Sequence, residues 1–228
     1  MDGLWNRPSC MGKATHAAVW LVRAGATAWE REGRVAGAAD LPLCPCGKDA
    51  AAQRARQLRG QVVELVLCGP DEASRATAEE VAKAVDAKVK VIDELAEVGL
   101  GLWEGVREKD LEERCPTAYR RWKEDPASVC APEGESIDEA RDRMVAALRR
   151  LIPRYARATS TMVVVLRPVA LGLARCFLSG RPTSDLWELG TQGAGVERLT
   201  VDCVTLREKL GIAPMNLPTP ESRAAAAR

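Results

Sequence analysis

Ala17-Ala18-Val19-Trp20-Leu21-Val22 runs without a charged side chain into Arg23-Ala24-Gly25-Ala26-Thr27, with Trp29 two residues further on. An apolar run of this length, closed by an arginine and small residues, reads as a strand buried on both faces of a sheet, as in a helix-covered parallel sheet. In open α/β sheets ligands sit outside the carboxyl ends of the strands, so Arg23 and Ala24 bear on function as well as on fold.

Four further apolar runs, at 62–68, 88–92, 162–166 and 196–201, have the same character. Helical patterns lie between them. The stretch 48–59 is rich in alanine and arginine with no breaker, and 74–85 puts Ala78, Val81, Ala82 and Val85 on one face. Ser136 with Glu139 three residues on makes a capping box for a long helix whose inward stripe is Ala140, Met144, Ala147, Leu148 and Leu151. Strands alternating with helices predict an α/β fold, a three-layer α/β/α sandwich with a mostly parallel central sheet. The segment 97–134, with Trp103, Tyr119, Trp122 and three prolines, breaks that rhythm and reads as a small helical insertion.

The remaining bounds come from composition. The 228 residues suffice for one well-buried domain, placed at 16–212, with a flexible leader at 1–15 and a flexible tail at 213–228. The 33 basic and 32 acidic side chains leave a net charge of +1, which gives no general attraction to nucleic acid or to an anionic membrane. No apolar run approaches the ~20 residues of a membrane span, and the chain is expected to be cytoplasmic. The eight cysteines contain no CxxC pair and read as reduced thiols. Cys44-Pro45-Cys46 lacks the four ligands a structural zinc needs and reads as loop or core packing, so neither a metal nor a cofactor is expected.

The first stretch resembles the opening signature of the histidine phosphatase superfamily, the phosphoglycerate mutase-like fold: Leu-Val-Arg-His-Gly-Glu-Thr-x-Trp. The resemblance continues in order over about 150 residues. Gly33-Arg34, Gly37, Asp40-x-Pro42-Leu43 and Gly47 follow the family's next run, with Ala36 where glutamine is usual. Pro70 to Glu79 resembles Ser-Pro-Leu-x-Arg-Ala-x-Gln-Thr-Ala-Glu, and Leu95-x-Glu97 through Gly101-x-Trp103-Glu104-Gly105 resembles a later segment. Gly134-Glu135-Ser136 with Arg143 resembles the family's Gly-Glu-Ser helix start, and Arg167-Pro168 stands where the family reads Ser-His-Gly.

The resemblance implies a phosphoryl-accepting histidine, a second histidine, two phosphate-holding arginines and a glutamate acid. This chain has Ala24 at the first position, Ala73 at the second arginine and Arg167 at the second histidine, while Arg23 and Glu97 are kept. Arg75 stands two residues late, a rotation of about 200° on a helix. His16, the lone histidine, is seven residues from Arg23, about 23 Å at ~3.3 Å per residue. Cys68 is nearer, but no Cys-x5-Arg cradle follows, since position 74 is serine.

These residues predict a pseudophosphatase that acts by binding a phosphorylated small molecule, another anion or a protein partner. The rival is an active phosphoester hydrolase or mutase with an unrecognised nucleophile. Arg23 and Arg167 are the candidate anion-binding pair, since two guanidinium forks can hold one phosphate. Alternatively Arg23 pairs with Glu97 or Glu30, and Arg167 with another carboxylate, leaving no net site. Without a nucleophile to serve, Glu97 reads as a salt-bridge partner. Trp103, Trp122 and Trp187 read as packing residues, and Arg120-Arg121 and Arg149-Arg150 as solvated helix faces. The oligomeric state is left open, a dimer included.

Overall fold

The computed structural model describes residues 16–155, 161–191, 195–203 and 206; the expected leader and tail lie outside them. Strand β1 (His16–Arg23) leads into the short helix α1 (Ala28–Arg31) and then α2 (Pro45–Gln57), β2 (Val63–Cys68), α3 (Glu72–Val85) and β3 (Lys88–Val91). Helices α4 (Glu108–Arg114) and α5 (Pro116–Glu124) follow, then α6 (Ile137–Tyr155), β4 (Thr161–Leu166), α7 (Pro168–Ser179), α8 (Leu186–Thr191) and β5 (Val196–Asp202).

The five strands form one sheet in the order β3-β2-β4-β1-β5, parallel except for β5, which pairs antiparallel with β1. Strand alternation then divides the interior. Val19, Leu21, Met162, Val164 and Leu166 face a core shared with α6, α7 and the 97–134 segment. Val22, Val163 and Val165 face the opposite side, where Ala55, Leu58, Ala78 and Val81 of α2 and α3 cover them. This is the expected α/β/α sandwich.

Burial on both faces holds for the central strands and fails at the edge. Lys88 and Lys90 of β3 leave one side of that strand in water, and Val91 is 42% exposed. The lysines fit an unpaired border, which they protect from further strand addition.

The helix starts show why propensity alone misplaces boundaries. Asp71 caps α3 by accepting from the Ser74 amide at 2.9 Å, so the helix begins at Glu72. Helix α2 starts at Pro45 with Cys44 as its cap, the sulfur accepting from the Gly47 amide at 3.3 Å. Cys44-Pro45-Cys46 is therefore a half-exposed helix start, not loop or core packing. The Ser136–Glu139 capping box is present in both directions.

Gly172 inside α7 lets α8 approach: a Cβ there would lie 2.6 Å from Leu186 Cδ1 and 2.7 Å from the Leu186 carbonyl oxygen. Glycine in a helix interior normally costs about 0.5–1 kcal/mol relative to alanine, so Gly172→Ala should stabilise on propensity alone. The contact reverses the sign, and urea unfolding is expected to show a loss of about 1–3 kcal/mol. A stabilised Gly172→Ala protein would contradict this packing.

Candidate functional site

The carboxyl end of the parallel strands is built where β1, β4 and β2 finish next to one another. The ladder continues one residue past β1, with the Ala24 amide donating to the Leu166 carbonyl at 2.7 Å and the Arg23 amide to the Gly195 carbonyl at 2.8 Å. Arg23 and Arg167 are thereby placed at the ends of neighbouring strands. Both line one cleft of about 240 Å³, together with Glu30, Arg34 and Glu97.

Arg167 is 2% exposed. Its Nη1 donates to the Ala39 carbonyl at 3.0 Å, and its Nη2 stands 4.0 Å from Glu30 Oε2, an oxygen that also accepts the Thr27 amide at 2.7 Å. Nε has no hydrogen-bond partner among the described residues. The arginine is thus partly neutralised and partly unsatisfied, an arrangement between the two alternatives read from the sequence.

Glu97 is not a simple salt-bridge partner. Oε1 accepts the Val98 and Ala170 amides, both at 2.8 Å, and Oε2 accepts the Val169 amide at 2.9 Å. Two of those donors are first-turn amides of α7, which a helix leaves without internal partners. Burial pushes the Glu97 carboxyl pKa up, against the Arg167 charge and the three amides that favour the ionised form.

Ala24 and Ala73 are 3% and 0% exposed and do not line the cleft. Ala24 packs with Val22, Ala55 and Val165, and Ala73 with Leu43 and Ala51. Beneath them Thr77 Oγ1 accepts the Gly25 amide at 2.9 Å. Arg75 is exposed on α3, and His16 begins β1 at the far end of the sheet. Cys68 is fully buried, and desolvation with the nearby Asp71 charge pushes its pKa up to about 12, so it supplies no thiolate.

Two groups of residues at or behind the cleft were not read from the sequence as part of a site. Arg54 of α2 donates to the Arg23 and Ala24 carbonyls at 2.9 and 3.0 Å; burial and the Arg23 charge lower its pKa. Its place three residues after the buried Ala51 was the available signal. The opposite wall is apolar, formed by Leu100, Leu111, Trp122 and Trp187, with Lys123 bonded to Glu108 at 3.2 Å and lying over the Trp187 ring. Trp103, Trp122 and Trp187 stack edge to face at centroid distances of 6.0 and 5.0 Å. Trp103 is packing as expected, whereas Trp122 and Trp187 also face the cleft. Arg120 and Arg121 are exposed, but Arg149 is half-buried and lies over Phe177.

The model of the histidine phosphatase superfamily (branch 1) matches residues 19–207. The chain belongs to that superfamily. Phosphoserine phosphatase 1 of Hydrogenobacter thermophilus is 30% identical over 174 residues, 76% of this chain and 82% of that protein. A probable phosphoglycerate mutase, GpmB, of Escherichia coli O1:K1 is 30% identical over 166 residues, 72% of this chain and 75% of that one. The solved mycobacterial glucosyl-3-phosphoglycerate phosphatase shares the fold with a TM-score of 0.71 at 23% identity, covering 81% of this chain and 90% of that one. Among the described residues, no helix is long and apolar enough to cross a membrane.

The raised pKa of Glu97 sets the direction of one pH effect. The folded protein holds this proton more tightly than the unfolded chain, so the group favours folding more as pH falls from the folded value towards the ordinary ~4.3. Urea unfolding of wild type and Glu97→Gln at pH 5 and pH 8 should show wild type gaining relative to the variant at the lower pH. A pH-independent difference, or one of opposite sign, would contradict the burial described.

Proposed function

We propose that this chain is a catalytically inactive histidine phosphatase that binds a phosphorylated or otherwise anionic small molecule in the cleft between Arg23, Arg167 and the tryptophan wall. One observation carries the reading. The residue at the nucleophile's position, Ala24, is buried outside the cleft, whereas Arg23 and Arg167 line it and Arg167 Nε has no acceptor among the described residues.

The chemistry follows from what each residue type can do. A methyl group cannot attack phosphorus, and loss of a nucleophile whose partners act as a unit costs on the order of 10⁶-fold in turnover. Two guanidinium groups in a partly buried cleft still offer charge-assisted hydrogen bonds to phosphate oxygens. The Glu30 carboxylate 4.0 Å from Arg167 limits that charge. The ligand's organic portion would then rest on Trp122 and Trp187. The active-enzyme alternative draws support from the names of the relatives, but Cys68, its nearest candidate, is held as a buried thiol.

Purified protein is expected to leave an aryl phosphate and a panel of phosphorylated metabolites unhydrolysed. Orthovanadate or phosphate should raise its melting temperature, since a ligand at 100 times its Kd adds about 2.7 kcal/mol to the folded state. Arg23→Gln should remove that shift without lowering the unliganded melting temperature appreciably. Turnover that survives Cys68→Ala and disappears with Arg167→Ala would overturn the reading, and absence of any anion-induced shift would favour a protein-binding scaffold.

Restoring Ala24→His, Ala73→Arg and Arg167→His together should not recover turnover. Ala24 and Ala73 sit in closed packing, and overfilling such positions costs about 1–3 kcal/mol each. Phosphatase activity in the triple variant, measured with the same aryl phosphate, would show that the site is merely missing its side chains.

A further inference from the structure

Outside the cleft, the densest chemistry is at the amino end of α2. Cys44 Sγ and Cys46 Sγ are in contact at 2.8 Å, both half-exposed, on either side of Pro45. Cys44 is the helix cap and Cys46 lies in the first turn, where free amide donors favour negative charge on sulfur. The Arg31 guanidinium of α1 stands close enough to Cys46 to favour its thiolate.

We propose that Cys44 and Cys46 form a peroxide-reactive dithiol, a site of oxidative modification with Cys46 as the attacking thiolate and Cys44 as the resolving thiol. Three features support this division of roles. The contact with the Cys44 thiol, and then the neighbouring Arg31 guanidinium, lowers the Cys46 pKa. Burial, and then the shared hydrogen bond, raises that of Cys44. The sulfurs already touch at 2.8 Å, so the bond can close without first bringing distant parts of the chain together.

The oxidant is a hydroperoxide, hydrogen peroxide in the simplest case. Cys46 gives its proton to solvent, and its sulfur attacks one peroxide oxygen. The O–O bond breaks, hydroxide leaves and takes the Cys44 proton to become water, and Cys46 becomes a sulfenic acid. The Cys44 thiolate then attacks the Cys46 sulfur. The S–S bond forms, the S–O bond breaks, and the departing hydroxide takes up a solvent proton as the second water. Two thiols lose two electrons and two protons, and one peroxide becomes two waters.

The site is coupled to the strand end beside it. The Cys44 amide donates to the Ala26 carbonyl at 3.0 Å, and a side chain on Gly47 would collide with that same carbonyl. Oxidation at the cap therefore acts on the loop that follows Arg23 and Ala24.

The test uses the full wild-type chain with hydrogen peroxide, then N-ethylmaleimide, proteolysis and mass spectrometry. The peptide holding Cys44 and Cys46 is expected to be lighter by two hydrogens and unalkylated, while the exposed Cys115 and Cys130 are alkylated. Dithiothreitol should restore alkylation. With limiting iodoacetamide and no peroxide, Cys46 should react several-fold faster than Cys115 or Cys130, and Arg31→Gln should remove that advantage. In Cys44→Ser the Cys46 sulfenic acid should persist and be trapped by dimedone. Oxidation of Cys115 or Cys130 before the pair, equal alkylation rates, or oxidation of Cys46 without a bond to Cys44 would each overturn the proposal.

Discussion

The buried Glu97 carboxyl group, holding three backbone amides, is the interaction on which the cleft end of this molecule depends. Its two oxygens accept three backbone amides, two of them at the start of α7, and so fix the helix whose cap residue is Arg167. Glu97 is held in turn by Arg143, which donates to the Glu94, Ala96 and Glu97 carbonyls at 2.9, 2.9 and 3.0 Å and forks onto the Glu135 carboxylate. A guanidinium with five donors can satisfy such a group of acceptors where a lysine cannot. The chain from Glu135 through Arg143 to Glu97 and Arg167 ties the 97–134 segment to the end of β4.

This network explains which positions of the family pattern persist. Gly37 has a positive φ of 51° and lies so close to the Glu104 carboxylate that any side chain would collide with it. Glu104 in turn accepts the Ala38 and Leu100 amides at 2.8 and 2.9 Å. Gly101 is pressed against the Pro132 carbonyl, and Gly25 and Gly47 are pressed against each other's loops. These residues shape backbone, and their chemistry is the same whether or not phosphate is cleaved. Of the positions read as departures from the family pattern, Ala24 and Ala73 are core residues and Arg167 is a buried cation.

Much of this was legible in the sequence for a physical reason. Continuous apolar runs mark the central strands β1, β2 and β4 because both faces are covered, and the 3.6-residue stripe of α6 marks the face that covers them. The edge strand β3 broke the rule, since Lys88 and Lys90 answer to water on one side. Pairing Arg23 with Arg167 rested on the resemblance to the superfamily, because the first and fourth strands of a chain need not be neighbours in its sheet. What did not follow was the partner of each charge. Glu97 turning to three amides, Arg54 reaching the carbonyls behind Arg23, and Trp122 and Trp187 walling the cleft all depend on approach between distant elements. The Cys44–Cys46 contact was hidden differently, because cysteine is outside the usual set of helix caps.

In the proposed function the cleft holds an anion and does no chemistry on it. Equilibrium dialysis of the purified chain against a radiolabelled aryl phosphate tests both halves at once. The account predicts saturable retention, lost in Arg23→Gln, with the retained ligand recovered intact. Recovery of the label as inorganic phosphate would contradict the inactive reading, and absence of retention would contradict the binding site itself.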